Sequence, residues 1–270
     1  MRKLNNLTVG LMMALISNTG LYAGNETFSL KVGGLFVVEE NTEVSLGRGA
    51  ASVALNIEEL AGMESETQVF RLDSFYRFND AHRIEFSYYS LGSSGSKSTT
   101  TDIEWGDSGI IQAGAAVSMN FDLDMYKVNY TYSMYHSDKV ELGVGAGLHV
   151  TAIDVGLNAQ GTIDSVPSTA YNESSKVTAP LPVLGVRLSY DITSDLVANF
   201  NYDFFAIKID EHKGNIQNTS ITLDYAITEN FGIGAGFDNY SLVFETEKNG
   251  KTLKVDRTVN GGLLFLSYKY

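Results

Sequence analysis

Apolar and polar residues alternate with a period of two along most of the chain beyond residue 27. Successive strand side chains point to opposite faces, so this rhythm predicts β-strands with one apolar face and one polar face. From residue 68, Phe70, Leu72, Tyr76 and Phe78 share a face against Arg71, Asp73 and Arg77. Ile84, Phe86 and Tyr88 then oppose Arg83, Glu85 and Ser87, and Tyr126, Val128, Tyr130 and Tyr132 oppose Lys127, Asn129 and Thr131. Val140 to Val150 alternate with Glu141, Gly143, Gly145, Gly147 and His149. Leu184 to Tyr190 oppose Arg187 and Ser189, and Leu196 to Phe204 oppose Asn199, Asn201 and Asp203. Ile221 to Ile227 oppose Ser220, Thr222 and Asp224, and Phe231 to Phe237 oppose three further glycines and Asp238. With an opening run over Phe28–Val38 and a closing run over Gly261–Tyr270, the pattern predicts ten strands.

The connections fall into two kinds. Asn79-Asp80, Ser137-Asp138, Thr193-Ser194-Asp195 and Thr228-Glu229-Asn230 are short polar turns. At the other ends of the strands, residues 39–66, 92–118 and 154–178 read as long loops, the last of them polar and without a pattern. Within the first, Val44–Leu46 and Ser52–Ile57 either extend the wall as a hairpin or give way to a helical turn over Ile57–Gly62. That choice leaves eight or twelve strands open beside ten. The connection at 210–215 is short, and Lys248-Asn249-Gly250 carries the Asn-Gly hairpin signal. Phe205–Ile209 breaks the alternation, and the apolar face changes near Gly261-Gly262, so bulges are expected at both places. Pro180 and Pro182 sit near the start of the sixth strand, where a missing donor is tolerated.

Ribbons with one oily face leave adhesive edges in water, and closing the sheet removes the edges. Only helices and closed barrels satisfy every backbone group in lipid. No run beyond residue 23 approaches the roughly 18 apolar residues of a spanning helix. The expected fold class is therefore all-β, a transmembrane antiparallel up-and-down β-barrel of about ten strands.

The last strand ends on Tyr268-x-Tyr270, and Tyr76, Tyr132, Tyr190 and Tyr225 stand near the ends of four other strands at the same level. This ending resembles the C-terminal signal of Gram-negative outer-membrane barrels, and the whole chain resembles the small OmpA/OmpW/porin-like superfamily. The resemblance implies an outer-membrane address, recognition of the last strand by the insertion machinery, and lipid and lipopolysaccharide as surroundings. It also implies short periplasmic turns with a girdle of Tyr76, Tyr132, Tyr190, Tyr225, Tyr268 and Tyr270 at the interface.

The first residues have a different character. Arg2 and Lys3 precede a mostly apolar run from Leu7 to Ile16 and a small-residue end at Ala23. Residues 1–23 read as a cleaved signal peptide and 24–270 as the barrel. Removing that segment takes the net charge from −13 to about −15, which argues against a nucleic-acid partner. The chain has no cysteine, hence no disulfide, thiolate metal site or cysteine nucleophile.

The polar face is where chemistry is expected. Arg71, Arg77, Arg83, Lys127 and Arg187 are balanced by Asp73, Glu85, Glu141, Asp203, Asp224 and Asp238. In a ten-strand lumen such charges can pair across and fill the interior. The expectation is a structural or weakly pore-forming barrel, not an enzyme, with no cofactor and no metal. The alternative is a surface adhesin or receptor acting through the outer loops. A third reading rests on Asp210-x-His212, which resembles the acid–histidine pair of the omptin surface proteases, with Asp102-x-Glu104 as a loose match to their second acidic pair. His82 and His136 read as turn residues, and His149 as an inward residue without a spaced partner. The mature chain is expected to stay monomeric only in detergent or lipid. Size-exclusion chromatography of the refolded chain checks this, and a monodisperse monomer in plain buffer refutes it.

Overall fold

The computed structural model describes residues 26–48, 51–56, 64–65, 68–100, 102–104, 110–163, 166–209, 212–248 and 251–270. Ten strands build the wall: β1 (Phe28–Arg48), β2 (Gln68–Asn79), β3 (His82–Ser98), β4 (Ala116–His136), β5 (Val140–Ile163), β6 (Val166–Asp191), β7 (Leu196–Ile209), β8 (His212–Ala226), β9 (Phe231–Lys248) and β10 (Lys251–Lys269). Each is antiparallel to the next, and β10 pairs with β1 from Ser29↔Lys269 to Arg48↔Lys251, which closes the ring. The expected ten-strand up-and-down barrel is the observed one.

Several strands are about twice the roughly 9–11 residues that a membrane crossing needs. β5 has 24 residues and β6 has 26. The extra length forms a second storey above the end with the long connections. In β4 the inward set from bottom to top is Ser133, Thr131, Asn129 and Lys127, then Met125, Leu123, Phe121, Met119 and Val117, all buried. The outward set is Met134, Tyr132, Tyr130, Val128 and Tyr126, then Asp124, Asp122, Asn120 and Ser118. The alternation never loses phase; the polarity of the two faces exchanges between Met125 and Lys127. In β9 the same exchange falls between Asp238 and Tyr240, and in β8 between Ile216 and Asn218. Below, an apolar belt surrounds a charged interior. Above, a polar surface surrounds an apolar core.

The upper storey is not a tube. The described ladder of β2 ends at Phe36↔Gln68 on β1 and at Arg71↔Tyr89 on β3, and β6 meets β7 only from Asp191↔Val197 to Leu184↔Phe204. The wall thereby splits into one sheet of β3–β6, with Glu64–Ser65 paired on β3, and another of β7–β10 with β1, whose edge takes residues 51–56. The two close on each other as a sandwich. Tyr89, Leu91, Val117, Met119, Phe121, Leu123 and Met125 of the first sheet pack against Leu35, Ile216, Tyr240, Leu242, Val259 and Leu263 of the second.

The structure settles or corrects the expected connections. Residues 51–56 pair back onto β1 at Glu43–Arg48, so the first connection does contain a wall hairpin; the possible helical turn at 57–62 lies outside the described residues, as does the expected signal segment 1–23. The second loop shrinks because β3 and β4 run on to Ser98↔Ala116. The expected loop at 154–178 is strand nearly throughout, β5 and β6 pairing up to Ile163↔Val166. Val155, Leu157 and Ala159 do alternate there with Asp154, Asn158 and Gln160, while Asn172-Glu-Ser-Ser-Lys176 carries no apolar residue. No bulge occurs at Phe205–Ile209, where β7 and β8 stay in register. The irregularity near Gly261 belongs to β1: Val37 faces Gly261, Glu39 faces Asn260, and Val38 is the extra residue, 80 % exposed. The face change read as a bulge in β10 is the exchange of polarity between storeys.

Gly147 shows how closely the lower strands approach. A Cβ there would overlap the Asn129 side chain and the Val128 carbonyl of β4, whereas at outward Gly262 the nearest atom would be 4.0 Å away. Gly147→Val is expected to cost about 1–3 kcal/mol of stability through overpacking, and Gly262→Ala almost nothing. Urea titration of the refolded variants in detergent checks both.

Candidate functional site

The lumen of the lower storey gathers most of the buried charge in the described residues. Arg77, near the bottom of β2, donates from both terminal nitrogens to Glu141 of β5, at 3.1 and 2.8 Å. Arg83 of β3 shares that carboxylate at 3.2 Å, and Ser133 also donates to it. Arg83 reaches Glu85 at 2.8 Å, Glu85 accepts from Arg187 Nε at 2.8 Å, and Arg187 Nη1 meets Asp203 Oδ1 at 2.7 Å. Asp203 Oδ2 stands 3.4 Å from His149 Nε2. This chain climbs from the lower turn at Asp80, whose carbonyl accepts from Arg77, to the floor of the apolar core.

A second chain crosses the lumen from β2 and β4 to β8 and β9. Arg71 joins Asp73 at 2.8 Å and Asp238 at 2.7 Å. Asp238 accepts from Asn218, whose own oxygen accepts from Lys127 Nζ at 2.5 Å. The Lys127 ammonium lies 5.2 Å from the Tyr89 ring and 5.9 Å from the Tyr240 ring, so the ceiling meets the charge with π-faces. At the foot, Asp224 takes Lys31 at 3.4 Å, Lys269 at 3.7 Å and the Ser267 hydroxyl at 2.8 Å.

All eleven expected lumen charges therefore face inward, and all but one are joined directly or through Asn218 to another of that set. The exception is Asp224, whose cations are Lys31 and Lys269. Those two were readable: Lys31 alternates with Leu30 and Val32, and Lys269 with Tyr268 and Tyr270. His149 does have a partner, Asp203, because β6 brings Arg187 and β7 brings Asp203 to its level. A further buried pair lies in the upper storey, where Arg257 binds Glu40, donates to Thr42 at 3.1 Å and sits 4.3 Å over the Phe121 ring. It escaped sequence reading because Glu40 fell in a stretch expected to be loop.

Between the two chains lies a cavity of about 140 Å³, bordered by Lys31, Arg71, Asp73, Lys127, Asn201, Thr222 and Asp224 among others. It holds room for several waters. Its lining stops below Tyr89, Met125 and Tyr240, which belong to the apolar core. The expected girdle tyrosines point outward near the short turns: Tyr76, Tyr132, Tyr190, Tyr225 and Tyr270 are exposed, and Tyr268 packs 5.2 Å from Phe231. His82 and His136 are at that level too, His82 Nδ1 lying 2.5 Å from the Tyr130 hydroxyl.

The protease-like residues are not assembled among the described residues. Asp210 lies outside them, His212 opens β8, and Asp102 accepts from the Ala113 N–H at 2.8 Å, which ties down its own loop. No group of three His, Asp or Glu side chains is placed to hold a metal among the described residues.

No protein-family model matches the chain, and no curated protein matches its sequence. Among solved structures it is similar to the outer membrane protease OmpT from Escherichia coli, with a TM-score of 0.54 and 12 % identity over 93 % of this chain and 99 % of that one. It is also similar to the translocator domain of autotransporter NalP from Neisseria meningitidis, at 0.47 and 12 % over 90 % and 87 %. A third similarity is to Ail, the attachment invasion locus protein of Yersinia pestis, at 0.34 and 11 % over 91 % and 99 %. At such identities the first likeness speaks for the fold alone. A closed ten-strand barrel, belted with apolar side chains and charged within, has the fold of the outer-membrane β-barrel proteins.

Proposed function

We propose that this chain is an integral outer-membrane barrel with a structural, non-enzymatic role, whose lumen is closed to solutes. The observation that carries the reading is the apolar sandwich seated directly over the charged chamber. A conducting path would have to pass between Tyr89, Met125 and Tyr240, which are buried in the core. Below them, paired charges fill the lumen instead of lining a free passage. Lipid and lipopolysaccharide would surround the belt, and the last strand would be the segment that the insertion machinery recognises. The apolar belt and the exposed tyrosines at its lower rim support that address.

One observation favours a second role for the same protein. The strands rise far beyond a membrane crossing and carry a polar outer face, so the upper storey stands clear of the lipid as a surface for adhesion or reception.

Planar-bilayer recording of refolded protein tests the first reading. Wild type is expected to be silent, and stable unit currents would overturn closure. Trimming the ceiling with Tyr89→Ala and Tyr240→Ala is expected to produce current steps. If the charge chains serve to fill the barrel, Glu141→Gln takes the carboxylate from Arg77, leaves Arg83 only Glu85, and costs about 3–5 kcal/mol of stability in urea titration, while the bilayer stays silent.

A further inference from the structure

The wall between β6 and β7 ends at Leu184↔Phe204, although both strands continue upward. Above that rung β6 pairs with β5 alone and β7 with β8 alone. Continued in the same register, the next rungs would bring Pro182 to Ala206 and Pro180 to Lys208.

Alternate residues of an antiparallel strand direct their backbone N–H and C=O to opposite neighbours. The Asp191 N–H donates to the Lys139 carbonyl at the foot of β5, at 2.9 Å. Odd-numbered residues of β6 therefore face β5, and even-numbered residues face β7. Pro180 and Pro182 are even, so the donors they lack are the ones the missing rungs require. The ladder to β5 loses nothing, and Pro180↔Val150 and Pro182↔Leu148 stay in register. The reason that these prolines are tolerated is thus the open edge beside them, not a place at the strand's start.

Pro167 repeats the arrangement. A register shift between Ser168 and Tyr171 exchanges the two sides of β6 above it. Thr162, the partner of Pro167, gives its carbonyl to the Gln112 N–H at 3.0 Å, away from β6, so this rung carries no bond between β5 and β6. The donor missing at Pro167 again faces away from β5, at a height above the end of β7. These three are all the prolines in the chain. Proline on a free edge is a recognised way of refusing a further strand.

We propose that Pro180 and Pro182 form a strand-pairing block that holds the wall open between β6 and the upper end of β7. The block keeps the last residues of β7 from joining β6, so the two sheets meet there through side chains. Leu181 and Phe205, which pack on the core but are only partly buried, stand at this seam.

The absence of native cysteine makes the seam directly testable. Leu181→Cys with Ile207→Cys would form a non-hydrogen-bonded pair if the ladder continued, with Cα atoms about 4.5 Å apart and within disulfide reach. With the prolines in place, oxidation is expected to be slow. Adding Pro180→Thr and Pro182→Thr is expected to speed it at least about tenfold, as restored donors let the rungs form. In the unmodified protein, hydrogen exchange at the Ala206 and Lys208 amides is expected to run at least about a hundredfold faster than at Phe200 and Tyr202, whose N–H groups face paired β6. Equal protection at those four amides, or no gain in crosslinking after the threonine substitutions, overturns the proposal. If the substituted chain fails to refold, the exchange measurement on the native protein decides by itself.

Discussion

Everything in this molecule follows from a strand's fixed alternation meeting two solvents. A residue that faces inward at the bottom of β4 implies inward residues at every second position to the top, because no bulge resets the phase between Ser133 and Val117. Where lipid lies outside, the outward set must be apolar and the inward set is free to be charged. Where water lies outside, the requirement reverses, and the inward set must supply a core. The sequence of β4, like those of β8 and β9, is therefore two alternating codes of opposite sign joined end to end.

The two storeys are stabilised by different physics. In the lower one the apolar belt gains little by contact with neighbours, and cohesion comes from the closed hydrogen-bond ring together with the ion-pair chains. Those pairs are mutually dependent: Glu141 serves two arginines, and Asp224 serves two lysines. In the upper one, apolar side chains from two sheets leave water in the ordinary way. Lys127 and His149 sit at the junction, where the charged interior meets the core.

Strand number, closure and the inward charges were legible because the lower storey obeys the simplest rule, apolar out and polar in. Arg71, Glu85, Glu141 and Arg187 could be assigned to the interior from alternation alone. The upper storey was not legible by the same rule. There Val117, Met119 and Phe121 alternate with Ser118 and Asn120 in the opposite sense, so a reader keyed to the lower code ends its loop at 118, inside that run. At Gly261 the same reversal looked like a bulge. Partners across the barrel were beyond reach as well: alternation places His149 and Asp203 on a common side, but only the register of β5, β6 and β7 brings them together.

In the proposed membrane setting, the pairing of a lipid-belted half with a water-bathed half also makes the protein respond unevenly to cold. Burial of apolar surface from water weakens as temperature falls, while a ring of backbone hydrogen bonds inside lipid has no such dependence. Chilling should thus loosen the sandwich of Leu91, Phe121, Leu123 and Leu242 before it disturbs the belted ring beneath, and the outer part of this barrel would soften while its anchor holds.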